Sequence, residues 1–305
     1  MGRRYDTVSL LTDYGLDDEF VGVVKAVIRD LAPHVTFIDL THGIRPYDVR
    51  AGSLALARAI PYVPAGVVLA VVDPGVGTSR RAVAVEVAGG EGVLVGPDNG
   101  LLGPAVGVLD GAGRAVELTN AAFHLGNAAG ATFAGRDVFA PVVAHLCNGV
   151  DIADLGAAVD PALLVPGLVP LPRHEADGLH AEVLWVDRFG NCQLNLGPAE
   201  LAALTDDEVV AVEVGDERRA ARVVRTFAEL GAGSLGLVLD SHGMYALVLD
   251  QRSAAAELAV AQGDAVGIVS LDGSAAPSPA VGVAAPTVRR PGQPATDHDH
   301  DHDHR

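Results

Sequence analysis

Asp73 stands at the end of the apolar run Val67 to Val72, and the segment Val71-Val72-Asp73-Pro74-Gly75-Val76-Gly77-Thr78-Ser79-Arg80-Arg81 continues into a basic pair. Such a run reads as a buried strand, and Pro74, Gly75 and Gly77 end it. In an α/β sheet ligands bind at the carboxyl ends of the strands, so an acid delivered there and followed by Arg80 and Arg81 points to a site. The alternative is an aspartate that caps a turn beside a solvated arginine.

Two more segments place polar groups where strands end. In Leu11-Thr12-Asp13-Tyr14-Gly15-Leu16-Asp17-Asp18, a carboxylate at position 13 can take both hydroxyls of a ribose, and Gly15 lets a ligand approach the backbone. Asp17 or Asp18 is expected to cap the helix that follows. In Asp187-Arg188-Phe189-Gly190-Asn191, an amide able to pair with an adenine edge follows an aromatic able to stack on its ring, which suits a purine nucleoside. Asn99-Gly100, in Gly96-Pro97-Asp98-Asn99-Gly100-Leu101-Leu102, reads as hairpin chemistry with a structural role.

The elements that must hold these groups alternate in the first half. Strands are expected at Thr7 to Leu11, Val35 to Leu40, Val67 to Val72, Ala82 to Val87 and Gly92 to Val95, and helices at Glu19 to Leu31, Asp48 to Ile60 and Ala134 to Asn148. That alternation means an α/β domain, a mostly parallel sheet flanked by helices, over 1–165. The Pro-rich stretch Pro161 to Pro172 reads as the linker, which we set at 166–176. Seven short strands follow, at Leu179 to Val186, Asn191 to Asn195, Val209 to Val214, Ala220 to Val224, Leu235 to Leu239, Tyr245 to Leu249 and Ala265 to Val269. They imply an all-β, barrel-like domain over 177–272. Residues 273–305 end in four Asp-His repeats from Asp297 to His304 and are expected to be disordered, with incidental metal affinity at most.

Composition narrows the partners. The 305 residues are 49% hydrophobic but only 4% aromatic, enough for two cores built from Val, Leu and Ala. A net charge of −18 argues against a nucleic acid or an anionic membrane, and a cationic or neutral small molecule is easier to accommodate. Cys147 and Cys192 have no metal-type spacing, and no apolar leader or long apolar run is evident, so a cytoplasmic protein is expected.

Together these segments resemble the S-adenosylmethionine (SAM) hydroxide adenosyltransferase family, the adenosine-forming SAM hydrolases, related to the nucleophilic fluorinases and chlorinases. The resemblance spans about residues 7 to 270. It rests on the Leu11–Asp18, Asp73–Thr78 and Gly96–Leu102 segments, on Thr132-Phe133-Ala134-Gly135-Arg136-Asp137-Val138-Phe139-Ala140-Pro141, and on Asp187–Asn191. It implies a homotrimer whose sites form between one chain's N-terminal domain and a neighbour's C-terminal domain. SAM is the substrate there, and no cofactor or metal is implied. Asp13 matches the acid on the ribose hydroxyls, Asp18 a position near the methionine, and Asp187 the acid that takes the methionine ammonium. Phe189 and Asn191 match adenine contacts, and Phe227 a second aromatic. The resemblance also places Tyr47, Phe133, Ser241, Arg252 and Ala254 in the substrate pocket; around Ser241 and Arg252 the local spacing is longer than in the halogenating relatives.

The implied reaction is an in-line displacement at ribose C5′. It expels a neutral thioether, needs no general acid, and requires an aligned nucleophile about 3 Å from carbon. Water must be oriented, and the hydrolase branch does so with an Asp, Arg and His triad. Asp73 and Arg80 match the first two members, and Asp73 would repel a halide. Ala134 stands where the family's Thr-Phe-His-Gly-Arg-Asp motif has its histidine, and alanine can neither hydrogen-bond water nor carry a proton. His124 lies ten residues upstream and is not expected to replace it. Two other readings remain: a non-catalytic binding protein for SAM or adenosine, supported by Ala134, and a metal-dependent nucleoside hydrolase using Asp13, Asp17 and Asp18.

Overall fold

A computed structural model describes residues 4–126 and 130–271; the Asp-His repeats lie outside the described residues. The first sheet has seven strands: β1 (Thr7–Thr12), β2 (Thr36–Thr41), β3 (Val67–Val71), β4 (Ala82–Val87), β5 (Gly92–Pro97), β6 (Ala112–Glu117) and β7 (Ala157–Val159), in the order β2-β1-β3-β5-β4-β6-β7. The four strands β2, β1, β3 and β5 run parallel. Antiparallel pairing then adds β4, β6 and β7 on one side. The parallel half is the part that carries the candidate site.

Apolar residues on both faces of these strands dictate a covered sheet. Helices α1 (Phe20–Leu31) and α2 (Val49–Ala59) follow β1 and β2, and α3 (Gly103–Val108) follows β5. A π turn, Gly135–Phe139, leads into α4 (Ala140–Cys147) where one longer helix was expected. One core packs Val24, Ile28, Phe139, Val143 and Leu146 from α1, the π turn and α4 against Leu10 and Leu69. The opposite core packs Leu56 of α2 and Ala105 of α3 against Leu11, Val68 and Leu94. Burying each such large side chain stabilises the fold by about 1.5–3 kcal/mol.

The Pro-rich segment after β7 is anchored to this domain: Val165 N–H donates to Asp98 Oδ1 at 2.8 Å, and the Leu163 carbonyl accepts from Arg81. Strands β8 (Arg173–Glu175), β9 (Gly178–Val186), β10 (Cys192–Leu194), β11 (Val209–Val214), β12 (Glu217–Val224), β13 (Leu235–Leu239), β14 (Tyr245–Leu249) and β15 (Ala265–Ser270) form the second sheet. Its order is β10-β14-β13-β12-β11-β15-β9-β8, and pairing of β10 with β9 closes seven of the strands into a barrel. Short helices α5 (Pro198–Leu204) and α6 (Ala254–Leu258) cover it, and the inward residues Leu179, Val183, Leu194, Val212, Leu237 and Leu247 fill it. Closure leaves few free strand edges. Helix α2 joins the two domains, with the Arg58 guanidinium 4.3 Å from the centre of the Trp185 ring and Arg50 paired with Glu182 at 2.5 Å.

Candidate active site

Each parallel strand delivers a polar residue just past its carboxyl end: Asp13 after β1, His42 after β2, Asp73 after β3 and Asp98 after β5. Asp73 and Arg80 meet across the Pro74–Ser79 loop. Arg80 Nε donates to both Asp73 oxygens, at 2.8 and 3.0 Å, and its Nη2 donates to Oδ2. The Asp73 side chain is only 6% exposed and that of Arg80 15%. The guanidinium also lies 5.4 Å from the Phe139 ring centre. A desolvated, two-point arginine–carboxylate pair is far stronger than a surface ion pair, so the solvated-arginine alternative fails. Arg81 belongs elsewhere and donates from Nε to Asp98 at 2.8 Å.

Asp13 sits beside this pair. Its Oδ2 accepts the Tyr47 backbone N–H at 2.9 Å, and Tyr47 holds a left-handed φ of 69° to make that contact. A non-glycine residue kept in that region marks a position fixed by its surroundings. Burial raises the Asp13 carboxyl above its ordinary value; the Tyr47 hydrogen bond opposes this and the charge on Asp73 adds to it. Beneath it, Thr12 Oγ1 and His42 Nδ1 are 2.8 Å apart, His42 Nε2 and Asp39 Oδ1 3.0 Å, and Lys25 reaches Asp39 at 2.6 Å. Burial alone would raise Asp39, but the hydrogen bonds from Lys25 and His42 outweigh it and hold it low.

Asp17 and Asp18 do not cap α1. Its first flanking residue is Glu19, with no side-chain cap, and both aspartates are exposed and make no hydrogen bond among the described residues. The helix starts instead where Phe20 packs its ring 5.7 Å from Tyr14 and 5.1 Å from Phe133. Asn99 is not at a hairpin. It lies between β5 and α3, where its Nδ2 donates to the Val72 carbonyl at 2.9 Å and ties the end of β5 to that of β3. Ala134 is half-buried at the entry to the π turn, beside Phe133 and Tyr14 in the same cluster. His124 Nε2 is buried without a partner among the described residues, and burial lowers its pKa.

The second set lies on the barrel. Asp187 Oδ1 accepts from the backbone N–H groups of Phe189 and Asn191 at 2.8 and 2.9 Å, and Oδ2 accepts from Asn191 Nδ2 at 2.8 Å. Three of about four acceptor positions are thus occupied, and among the described residues the Asn191 side-chain oxygen and one side-chain N–H have no partner. Gly190 has φ 83°, and a Cβ there would lie 2.0 Å from Ser253 Oγ. This close approach docks the turn on α6: Ala255 N–H donates to the Gly190 carbonyl at 2.9 Å, bringing Arg252 and the buried Ala254 next to it. Arg252 pairs with Glu257 at 2.5 Å. Phe227, in a short turn after β12, and Ser241, between β13 and β14, make no hydrogen bond or ring contact with that turn.

Among the described residues no hydrogen bond, ion pair or ring contact joins the Asp13–Asp73 set to the Asp187–Asn191 set. The interdomain cleft within one chain, about 420 Å³, is lined instead by Leu40, Arg58, Tyr62 and His242. Asp13, Asp17 and Asp18 do not converge as metal ligands; among the described residues that grouping occurs at Glu175, Asp177 and His180 on the β8–β9 hairpin.

The chain matches the SAM hydroxide adenosyltransferase N-terminal domain over residues 8–156 and the C-terminal domain of that name over 181–267. It is 48% identical over 257 residues to an "(R)-S-adenosyl-L-methionine hydrolase" of Salinispora tropica, covering 84% of this chain and 95% of the relative. A Thermus thermophilus protein with the same description is 42% identical over 263 residues, covering 84% and 96%. A fluorinase of an Actinoplanes species is 26% identical over 218 residues, covering 64% of this chain and 72% of the relative. A crystal structure of an uncharacterized conserved protein from Thermotoga maritima superposes with a TM-score of 0.77 at 34% identity, covering 86% of this chain and 99% of that one. Both domains therefore match the same family: this chain is a member of the SAM hydroxide adenosyltransferase family.

Proposed function

We propose that the protein hydrolyses S-adenosyl-L-methionine to adenosine and L-methionine, with the (R) sulfonium configuration named for its relatives as the preferred substrate. The observation that carries this reading is the desolvated Asp73–Arg80 pair at the carboxyl end of β3, next to Asp13. A water oxygen attacks C5′, and the C5′–S bond breaks with its electron pair going to sulfur as neutral methionine. The water proton leaves through Asp73 to solvent. Arg80 fixes the carboxylate so that its free lone pairs aim at the water rather than rotating. Asp13 holds the ribose hydroxyls, with Tyr47 and Phe133 beside them. Asp18 lies toward the methionine.

Asp187, Phe189, Asn191, Phe227, Ser241, Arg252 and Ala254 are assigned to the methionine and adenine ends, supplied by a neighbouring subunit of a homotrimer. Supporting this is the exposure of large apolar side chains at both half-sites of the single chain: Leu16 at 79%, Tyr47 at 73% and Phe189 at 78%. Surfaces of that kind are normally covered by a partner or a ligand. Ala134 in place of the family histidine slows turnover without removing binding. The domain boundaries of 1–165, 177–272 and a linker between them, and a cytoplasmic location, belong to the same proposal. Chromatography of each sulfonium epimer after incubation with the protein, with and without a chelator, tests it. Adenosine and methionine in equal amounts, unaffected by chelator, support hydrolysis at C5′. Free adenine that disappears with chelator would instead support a metal-dependent nucleoside hydrolase, and tight binding without product a binding protein.

A further inference from the structure

With alanine at position 134, the proposed water site holds one acid and one arginine, yet an attacking water has two hydrogens to place while its lone pair faces carbon. A second polar group should be close by, and the structure offers one that the sequence comparison did not point to. Tyr14 follows Asp13 directly and is packed edge-on against Phe133, with centroids 5.8 Å apart at 79°, and against Phe20 at 5.7 Å. These contacts fix the ring. Its hydroxyl ends beside the backbone next to Ala134: a Cβ built on Gly135 would lie 2.3 Å from Tyr14 Oη. Among the described residues the hydroxyl has no hydrogen-bond partner.

The electrostatic surroundings put the phenol among the charged groups of the site. Burial raises the phenol pKa most, the charges of Asp13 and then Asp73 raise it further, and Arg80 opposes them. Tyr14 therefore stays neutral and lies within the field of all three charged site residues. Its backbone is braced too, since Tyr14 N–H donates to Thr12 Oγ1 at 3.2 Å and Gly15 N–H to the His42 carbonyl at 2.8 Å. The Thr12–His42–Asp39–Lys25 chain thus positions the residue that carries the hydroxyl.

Resting on the hydrolase reading, we propose that the Tyr14 hydroxyl is the third polar group of the water site and takes over the task of the absent histidine. The phenol oxygen accepts one hydrogen of the attacking water while Asp73 accepts the other, and the phenol proton turns toward a carboxylate of the site. No proton need leave Tyr14; its role is orientation. Glycine at 135 is then required by the hydroxyl, because any side chain there would displace it.

The test compares the unaltered protein, Tyr14→Phe, Ala134→His and the double variant, reading kcat and KM for SAM together with the melting temperature. Phenylalanine keeps the ring packing, so the fold should be unchanged. The proposal expects kcat of Tyr14→Phe to fall about 10- to 100-fold with KM within about threefold, and Ala134→His to restore most of that loss in the double variant. An unchanged kcat in Tyr14→Phe overturns it while leaving the hydrolase reading intact. So does a loss that Ala134→His fails to rescue, or one that appears wholly in KM. Absence of adenosine from the unaltered protein overturns the hydrolase reading and this inference with it.

Discussion

Replacing Asp73 by asparagine keeps its volume and one acceptor oxygen but removes the charge that Arg80 faces. Both side chains are nearly out of solvent, so the variant leaves a desolvated guanidinium opposite a neutral amide. Breaking a buried ion pair by removing one partner costs about 3–5 kcal/mol, and the remaining solvent access of Arg80 together with its Phe139 contact places this case nearer 2–3 kcal/mol. For a domain of this size that lowers the melting temperature by roughly 5–10 °C. Catalysis should suffer more. Loss of a group that both accepts the water proton and aligns the nucleophile is worth about 10²- to 10⁴-fold, or roughly 2.7–5.4 kcal/mol of barrier. Paired assays suffice: a thermal melt, and adenosine release at saturating SAM well below the melting temperature. The variant should bind SAM, unfold early and turn over at least a hundredfold more slowly. Turnover within threefold of the parent would remove Asp73 from the mechanism whatever the melt shows.

Three further outcomes follow from the same geometry. Ala134→His alone should raise kcat by about three- to tenfold, the gain limited because Tyr14 already serves the water; no gain in single-turnover measurements would break the analogy with the family triad. Because the Asp13 carboxyl is raised by burial, it protonates at higher pH than an ordinary aspartate. In the proposed site its ionised form accepts from the ribose hydroxyls, so calorimetric SAM affinity should weaken as pH falls through that raised value, and Asp13→Asn should flatten the profile. The stability contribution has the opposite sign: it is present below the ordinary aspartate value and lost as pH rises through the raised one. Finally, mixing Asp13→Ala with Asp187→Ala subunits should recover activity that neither shows alone, because a shared site can draw one intact half from each chain. No recovery after exchange of subunits would confine the site to a single chain.

Much of the architecture could be read from residue pattern. The barrel strands β11, β13 and β14 fall on the residues expected because short, mainly apolar runs there are bounded by glycine and charged turns. Short helices escaped: α3, α5 and α6 span only five to seven residues, too few to show a helical period. Strand β6, Ala-Gly-Arg-Ala-Val-Glu, was not among the expected strands because its small and charged residues form no apolar run; in the structure Arg114 pairs with the Glu86 carboxylate at 2.7 Å. In the site, Asp73 and the basic pair Arg80-Arg81 stood out from the sequence, but that Arg80 rather than Arg81 folds back onto Asp73 across the six-residue Pro74–Ser79 loop is seen only in the structure. The Asx cap assigned to Asp17 or Asp18 does not form, because hydrophobic packing of Phe20 fixes that helix start instead. Tyr14 was read only as part of a motif. Its role depends on Gly135, more than a hundred residues away, and no local signal carries that.

The central claim is displacement by water at C5′, and the position of oxygen transfer tests it most directly. The protein should be incubated with SAM in ¹⁸O-labelled water and the products fragmented by mass spectrometry. The account predicts adenosine carrying the label at the 5′-hydroxyl, with unlabelled methionine. Label on ribose C1′, or SAM recovered intact after prolonged incubation, would contradict it.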